Sequence, residues 1–436
     1  MKKTIAGGRW WAILQFAASG YNRPAPNANS KKEARTMPSL NPKDIVILDG
    51  ARTPVGTFLG SLRSITPTDL GAIAARAALE RSGVPADAID AVFVGNVIQS
   101  ARDTAYIARH VGLKAGVPIE TPALTVNRLC GSGQEAIVQG AKALMLGEAT
   151  FVLAGGAENM SMSPYALRGV REGWKLDAAQ VEDMLWAALT DYYCGCAMAD
   201  TAENVAEKYG ITREEADEFA LLSHQRAAAA RESGRLAKEI VPVEVRDRKG
   251  RPVLVEHDEH IRPDTSLEKL ARLPARFREN GRVTAGNASG MNDAACMLVL
   301  TTWEAAQAHG LKPLGRLVSW GTAGVDPAYM GMGPVPASKM ALERAGLTLD
   351  QMDVVEVNEA FATQYLAVER ELGLDREKTN PNGGGISIGH PLGATGARVT
   401  LTALYELRER GGRYGLATMC IGGGQGIAAI VEYLGA

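Results

Sequence analysis

From residue 44 onward, short apolar runs alternate with segments in which apolar residues recur every three to four positions. Ile45-Val46-Ile47-Leu48, Val92-Phe93-Val94 and Phe151-Val152-Leu153-Ala154 are continuous apolar runs of strand length, whereas 69–82 carries a helical stripe. Continuous runs predict strands buried on both faces. Their alternation with helices predicts a mainly parallel sheet covered by helices, an α/β class.

The pattern then repeats. Residues 79–96 (LERSGVPADAIDAVFVGN) align without gaps to 342–359 (LERAGLTLDQMDVVEVNE), 263 residues later, with eight of eighteen positions identical. The same offset pairs Leu129 with Leu392 and Gly133 with Gly396. A repeat of this length indicates a duplicated domain, since solenoid units are much shorter. Two similar halves place equivalent loops side by side about a pseudo-twofold axis, which predicts one active site built from both. Between the halves, 161–281 reads as an insertion over the first half, with charged helices at 203–209 and 213–233 and a β-like stretch at 241–245. The expected division is an extension at 1–40, a first half at 41–160 and 281–313, an inserted loop domain at 161–280, and a second half at 314–436.

Composition narrows the function classes. The chain has 436 residues, 46% of them apolar, and a net charge of −2, so it lacks the excess of Lys and Arg that a non-specific nucleic-acid binder needs. Its five cysteines show no repeated Cys-x-x-Cys spacing, which disfavours a disulfide framework or zinc ribbon and favours a reduced, cytoplasmic setting. The apolar runs are too short, and too often broken by Gly, to span a bilayer. The first forty residues differ: Lys2-Lys3 precedes Gly7-Gly8-Arg9, which interrupts the place where a signal peptide would build its apolar stretch. They read as a disordered extension, or as a mis-assigned start with the true one at Met37.

Four segments carry candidate chemistry. Cys130 lies in Asn127-Arg128-Leu129-Cys130-Gly131-Ser132-Gly133, directly before a helical pattern. Backbone N–H groups and the helix dipole at such a turn stabilise a thiolate, although a buried structural cysteine fits this motif equally well. His390 lies in the glycine-dense 383–396. A nucleotide-binding loop fits poorly there, because no Gly-Lys-Ser/Thr follows and Pro391 removes an N–H; a proton acceptor for the thiol fits better. The repeat offset places His390 in the counterpart of the Cys130 loop. Cys420, in Cys420-Ile421-Gly422-Gly423-Gly424-Gln425-Gly426, reads as an exposed second thiol with N–H groups at hand for an oxyanion, or as a packed cysteine. Asn358-Glu359-Ala360-Phe361 follows a strand at 354–357, where α/β sheets place ligands, though Asn also caps helices.

Together, from about residue 43 to the C-terminus, these segments resemble the thiolase family, with its nucleophile loop, Asn-Glu-Ala-Phe, Gly-His-Pro and Cys-x-Gly-Gly-Gly motifs. Thr284-Ala285-Gly286-Asn287-Ala288-Ser289-Gly290 adds to the likeness. The resemblance implies a thiolase fold: two duplicated α/β halves with mixed, mainly parallel sheets, layered α-β-α-β-α, plus the loop domain. It implies that Cys130 carries the acyl group as a thioester, that His390 takes its proton and that Cys420 shuttles the proton of the α-carbon. Asn358 would hold a water of one oxyanion hole, and the N–H groups of Cys130 and Gly422 would form the other. Coenzyme A would be substrate and product, with no resident cofactor and no metal. Ser289 would meet its pantetheine arm in a channel lined by Met198 and Met330, although both methionines also suit ordinary packing. Arg262, Lys269, Arg272, Arg276, Arg278 and Arg282 read as a solvated face or as contacts for CoA phosphates. Homodimers or homotetramers are the family expectation.

One departure bears on specificity. Short-chain biosynthetic thiolases commonly place a histidine before the methionine that precedes Thr-Ala-Glu-Asn, and Ala197 stands there in this chain. Together with 259–273 and 356–370, this leans towards the 3-ketoacyl-CoA thiolases of fatty-acid breakdown. Acetoacetyl-CoA-specific acetyl transfer and a non-catalytic acyl-CoA or lipid carrier are the alternatives. A decarboxylating ketoacyl synthase is disfavoured by Cys420 in its glycine-rich loop. His257 and His260 read as surface residues, His110, His224 and His309 give no signal, and Cys194-x-Cys196 reads as packing.

Overall fold

The computed structural model describes residues 40–174, 180–247 and 249–435. The readings of the first 39 residues lie outside this range.

Nine strands form the main sheet: β1 (Ile45–Arg52), β2 (Ala91–Gly95), β3 (Ala123–Val126), β4 (Phe151–Asn159), β5 (Asn292–Thr302), β6 (Gly315–Gly324), β7 (Val354–Val357), β8 (Tyr414–Ile421) and β9 (Gln425–Tyr433). The main helices are α1 (Pro67–Ser82), α2 (Ile107–Ala115), α3 (Ser132–Leu146), α4 (Met198–Tyr209), α5 (Arg213–Glu232), α6 (Pro334–Ala345), α7 (Ala362–Leu372) and α8 (Leu392–Arg410). Local chemistry sets their ends. In α1, Thr66 caps the N-terminus by accepting the Asp69 N–H, Pro67 occupies the first turn, and Gly83 closes the helix at φ 71°.

The strand order is β7-β8-β9-β6-β1-β5-β4-β2-β3, with the short Gly56–Thr57 strand added against β5. Outward from the β1–β6 seam, β1-β5-β4-β2 and β6-β9-β8-β7 follow the same order, and β4 and β8 begin 263 residues apart, at Phe151 and Tyr414. The internal repeat is therefore a topological one. The sheet is mixed: β4-β2-β3 and β7-β8 pair in parallel, while the strands around the seam pair antiparallel. Helices α1 and α6 cover the outer faces of the two halves, and α3 and α8 lie together between them. Ile137, Ala141, Ala397, Leu401 and Leu404 of α3 and α8 share one apolar cluster with Ile47 and Leu298 of the first half and Val354 and Val431 of the second. This is the α-β-α-β-α layering, and it explains why α8 is buried on almost every side.

The insertion corrects one expectation. Its helices lie over the second half: Val205 and Ala206 of α4 and Phe219 and Ala220 of α5 pack with Leu366 of α7, and Phe219 stacks on Tyr365 with ring centroids 3.9 Å apart. The apolar face of α7 gives them a surface to cover. The insertion also reaches the first half, where Ala227, Leu236 and Ile240 pack with Val55 and Ala294, and it is tied there by charge as well. Arg52, fully buried on β1, meets Asp258 at 2.7 and 3.0 Å and Glu239 at 3.0 Å. Arg235 extends the network from Glu239 to Glu406 on α8. Among the described residues, no helix is long and apolar enough to cross a membrane.

Because two carboxylates converge on Arg52 at a fully buried point, Arg52→Met should lower the unfolding free energy by about 3–5 kcal/mol. Urea denaturation checks this, and a loss below about 1 kcal/mol would show that the network is solvated.

Candidate active site

Cys130 sits two residues before α3, on a turn that local side chains hold under strain. Leu129 adopts φ 46°, a left-handed conformation that costs a leucine about 1–2 kcal/mol. Asn127 Oδ1 accepts the Leu129 N–H at 3.0 Å, and Ser132 Oγ accepts the Arg128 N–H at 2.8 Å while donating to the Leu129 carbonyl at 2.6 Å. The thiol is directed onto the other half. Its side chain packs with Leu392 of α8 and with Met419, Ile421 and Ile427 of β8 and β9, and the backbone N–H groups of Gly422 and of Cys130 itself favour its charged form.

His390 comes from the glycine-rich loop after α7, and the glycines there are needed for close approach. A Cβ at Gly384 would lie 2.3 Å from the Glu359 carboxyl carbon, and Gly389 adopts φ 116° against Asn292. Glu359 organises the loop by accepting the Ser223 hydroxyl at 2.7 Å, the Asn380 amide at 2.8 Å and the Ile386 N–H at 3.2 Å. The His390 ring is buried, with Nδ1 2.7 Å from Thr395 Oγ1 and Nε2 3.4 Å from Asn358 Nδ2. Thr395 Oγ1 donates to the Pro391 carbonyl at 2.9 Å, so it accepts from His390 Nδ1–H and leaves Nε2 bare to take a proton. Burial, reinforced by the Arg398 charge, lowers the imidazole to about 3 and keeps it neutral.

Asn358 closes β7, with Oδ1 buried and without a hydrogen-bond partner among the described residues. Cys420, at the end of β8, packs with Met330, Ala360, Met198 and Phe361. Gly422 opens the turn to β9, where Gly423 and Gly424 adopt φ 79° and 77°, and its Cα hydrogens face the Met198 sulfur. The structure thus brings Cys130, Cys420 and Gly422 together and sets His390 against Asn358, whose N–H donates to Thr418 on the Cys420 strand at 3.0 Å, with Met198 and Met330 alongside Cys420. Ser289 lies at the rim, its N–H donating to the Ala360 carbonyl at 2.9 Å next to the Ala288–Phe361 bridge. Arg262, Lys269, Arg272 and Arg276 are exposed. Lys269 meets Asp264, while the half-buried Arg278 meets Glu207 and Asn204.

Three expectations need correction. The thiolate stabilisation expected at Cys130 is outweighed: burial pushes the thiol of this half-buried side chain up to about 11 against the two N–H donors, and Glu158 adds to the rise. Cys420 is buried rather than exposed, and its thiol is raised further by burial and the neighbouring Cys130. His260 is half-buried rather than fully on the surface; it packs on Gly290, and burial lowers it to about 4. Sequence reasoning also passed over Asn292, Glu158 and Thr395. Thr395 sits five residues after His390, one turn into the same helix, a spacing that could have marked it.

The thiolase N-terminal domain model matches residues 45–304, and the thiolase C-terminal domain model matches residues 311–433. The chain belongs to the thiolase family. It is 50% identical over 391 residues to the human mitochondrial 3-ketoacyl-CoA thiolase, covering 89% of this chain and 98% of that protein. It is 52% identical over 391 residues to the beta-ketothiolase BktB of Cupriavidus necator, covering 89% and 99%. The crystal structure of the human mitochondrial 3-ketoacyl-CoA thiolase in complex with CoA superposes with a TM-score of 0.87 at 49% identity, covering 90% of this chain and 99% of that one. Thiolases are acyltransferases, and the site described is the part of this thiolase in which both halves meet.

A Cys130 thiol near 11 should be alkylated by iodoacetamide about tenfold faster for each pH unit between 7 and 9. Mass spectrometry of the Cys130 peptide reads this directly, and a rate already level at pH 7 would mean a preformed thiolate–imidazolium pair.

Proposed function

We propose that the chain is a degradative 3-ketoacyl-CoA thiolase, cleaving a 3-ketoacyl-CoA with CoA into acetyl-CoA and a shortened acyl-CoA and running the Claisen condensation in reverse. The observation that carries the reading is the pair of neighbouring thiols, Cys130 and Cys420, together with a neutral imidazole, His390, held against Asn358, whose N–H bonds the Cys420 strand at Thr418.

His390 Nε2 takes the proton of Cys130 as the sulfur attacks the 3-keto carbon. The N–H groups of Cys130 and Gly422 meet the oxyanion, and their present contact with the sulfur places them within reach of it. Breaking the C2–C3 bond leaves the enolate of acetyl-CoA, whose thioester oxygen is held by His390 and an Asn358-bound water and whose carbon takes the Cys420 proton. The acyl group stays on Cys130. CoA then enters, Cys420 takes its thiol proton, and attack on the thioester releases the shortened acyl-CoA. After the carbon has taken the Cys420 proton the site holds a His390 imidazolium and a Cys420 thiolate; the CoA thiol proton restores Cys420, and the departing Cys130 sulfur takes back the proton held by His390.

CoA acts as substrate, with no resident cofactor: Met198 and Met330 beside Cys420 support a pantetheine channel ending at Ser289, and the exposed Arg262, Lys269, Arg272 and Arg276 suit its phosphates. The small, buried Ala197, just ahead of Met198, favours acyl chains longer than acetoacetyl. The open edge of β3, with Leu124 exposed, supports a homo-oligomer, and the five free cysteines support a reducing, cytoplasmic compartment.

CoA-dependent loss of 3-ketoacyl-CoA enolate absorbance, with C4 and C10 substrates side by side, tests the reading. Both should be cleaved, and Cys130→Ala should abolish each; cleavage of C4 alone moves the assignment to an acetoacetyl-CoA enzyme, and cleavage of neither leaves a carrier. Cys420→Ala should still acylate Cys130 from acetyl-CoA but lose exchange of the acetyl-CoA methyl protons with deuterated water by about 10²–10⁴-fold. NMR checks this, and exchange at the wild-type rate would remove Cys420 from the proton path.

A further inference from the structure

Although His390 belongs to the second half by sequence, side chains of the first half hold its turn. The His390 N–H donates to Asn292 Oδ1 on β5 at 2.9 Å, and the Gly393 N–H donates to Glu158 Oε2 on β4 at 2.9 Å. The Gly393 carbonyl is wedged against β4 and α3: a Cβ at Gly156 would lie 1.9 Å from its oxygen, and one at Gly133 would lie 2.6 Å away.

Glu158 is wholly buried and meets four donors. Besides Gly393, Oε2 accepts the Val97 N–H at 3.0 Å, and Oε1 accepts the Ile98 N–H and the Asn96 amide, each at 3.1 Å. Three of the donors come from the loop after β2 and the fourth from the start of α8. Ile98 and Leu392, the side chains beside these donors, both pack with Cys130. The carboxylate thus joins the segment behind the nucleophile to the segment that presents the histidine. A carboxylate has lone pairs for four such donors, whereas the equally sized amide of Gln must turn an N–H₂ towards two of them. The titratable groups facing it are Asp293 on β5 and Cys130.

We propose that Glu158 is a positioning residue for acyl transfer: its carboxylate clips the His390–Gly393 turn of one half onto the Asn96–Ile98 loop of the other and so sets the histidine against the Cys130 thiol. Its charge has a second effect on the same thiol, raising its pKa and holding it protonated until His390 takes the proton. Burial raises Glu158 itself to about 7, and the three backbone N–H donors oppose that rise.

This rests on the thiolase reading, so the test pairs a turnover measurement with one that needs no turnover. Wild type and Glu158→Gln are compared in acetoacetyl-CoA thiolysis, with kcat expressed per Cys130 acylated by acetyl-CoA, which discounts unfolded chains. The expected result is a kcat per acylated site lower by about 10²-fold, with KM within about threefold, because a small misplacement of a catalytic pair is costly while substrate contacts persist. In parallel, iodoacetamide alkylation of Cys130 at pH 8 should become about threefold faster as the opposing charge is lost. A kcat per acylated site within about twofold of wild type, with unchanged alkylation, overturns the proposal even if the melting temperature falls. If wild type shows no thiolysis, the function fails, and the alkylation comparison still decides the link between Glu158 and Cys130. Should Glu158→Gln not fold, Asn96→Ala removes one donor without adding charge. It should lower kcat per acylated site by about threefold to tenfold, and a wild-type value overturns the proposal.

Discussion

Two buried helices, α3 and α8, touch where neither has a side chain. A Cβ at Gly133 would lie 2.6 Å from the Gly393 carbonyl oxygen, and one at Gly396 would lie 2.4 Å from the Gln134 nitrogen. Gly133 and Gly396 occupy equivalent positions of the two repeats, so one contact, made twice about the pseudo-twofold axis, sets how closely the halves approach. Protein interiors are packed too densely to absorb even one extra carbon at such a point without movement. Cys130 precedes the first of these helices and His390 the second. Their spacing follows from the helix contact more than from the loops that carry them.

The buried polar groups make sense in that frame. Taking ionisable groups out of water favours their neutral forms, and the Cys130 thiol and the His390 imidazole are both held neutral. In the proposed reaction, neutral partners transfer a proton as the bond forms, and the N–H groups near Cys130 meet a charge that develops only as the reaction proceeds. The ion pairs and carboxyl groups that hold the surrounding chain lie behind the site. Arg52, Glu239, Arg235 and Glu406 join β1, the insertion and α8, and Glu158 and Glu359 satisfy the loops. These groups hold the geometry and leave the reacting atoms uncharged at rest.

Much of this was legible in the chain. The 263-residue offset identified the duplicated halves, and the glycines flanking His390 and following Cys420 marked places where backbones come close. Motif residues identified the pair of thiols, the histidine and Asn358. What was not legible depends on burial, which a sequence shows only indirectly. A cysteine before a helix looks like a stabilised thiolate until the desolvation of its surroundings is counted, and Cys420 in a glycine-rich turn looks exposed until β8 is seen at the interior of the sheet. The placement of the insertion was missed because its anchor, the apolar face of α7, is contributed by a segment more than a hundred residues away. Glu158 carries no local pattern: its four donors come from two stretches of chain that meet only in the folded protein.

The claim that the α3–α8 contact sets the catalytic spacing is tested most directly by Gly396→Ala, since alanine is the better helix former by about 1 kcal/mol and any loss must come from the contact. The measurement is the single-turnover rate at which acetyl-CoA acylates Cys130, followed by mass spectrometry, alongside a thermal melt. The account predicts a folded protein whose acylation is slower by about 10²-fold, because Cys130 and His390 have been moved apart. Acylation at the wild-type rate in a folded Gly396→Ala protein would contradict it and assign the spacing to the loops alone.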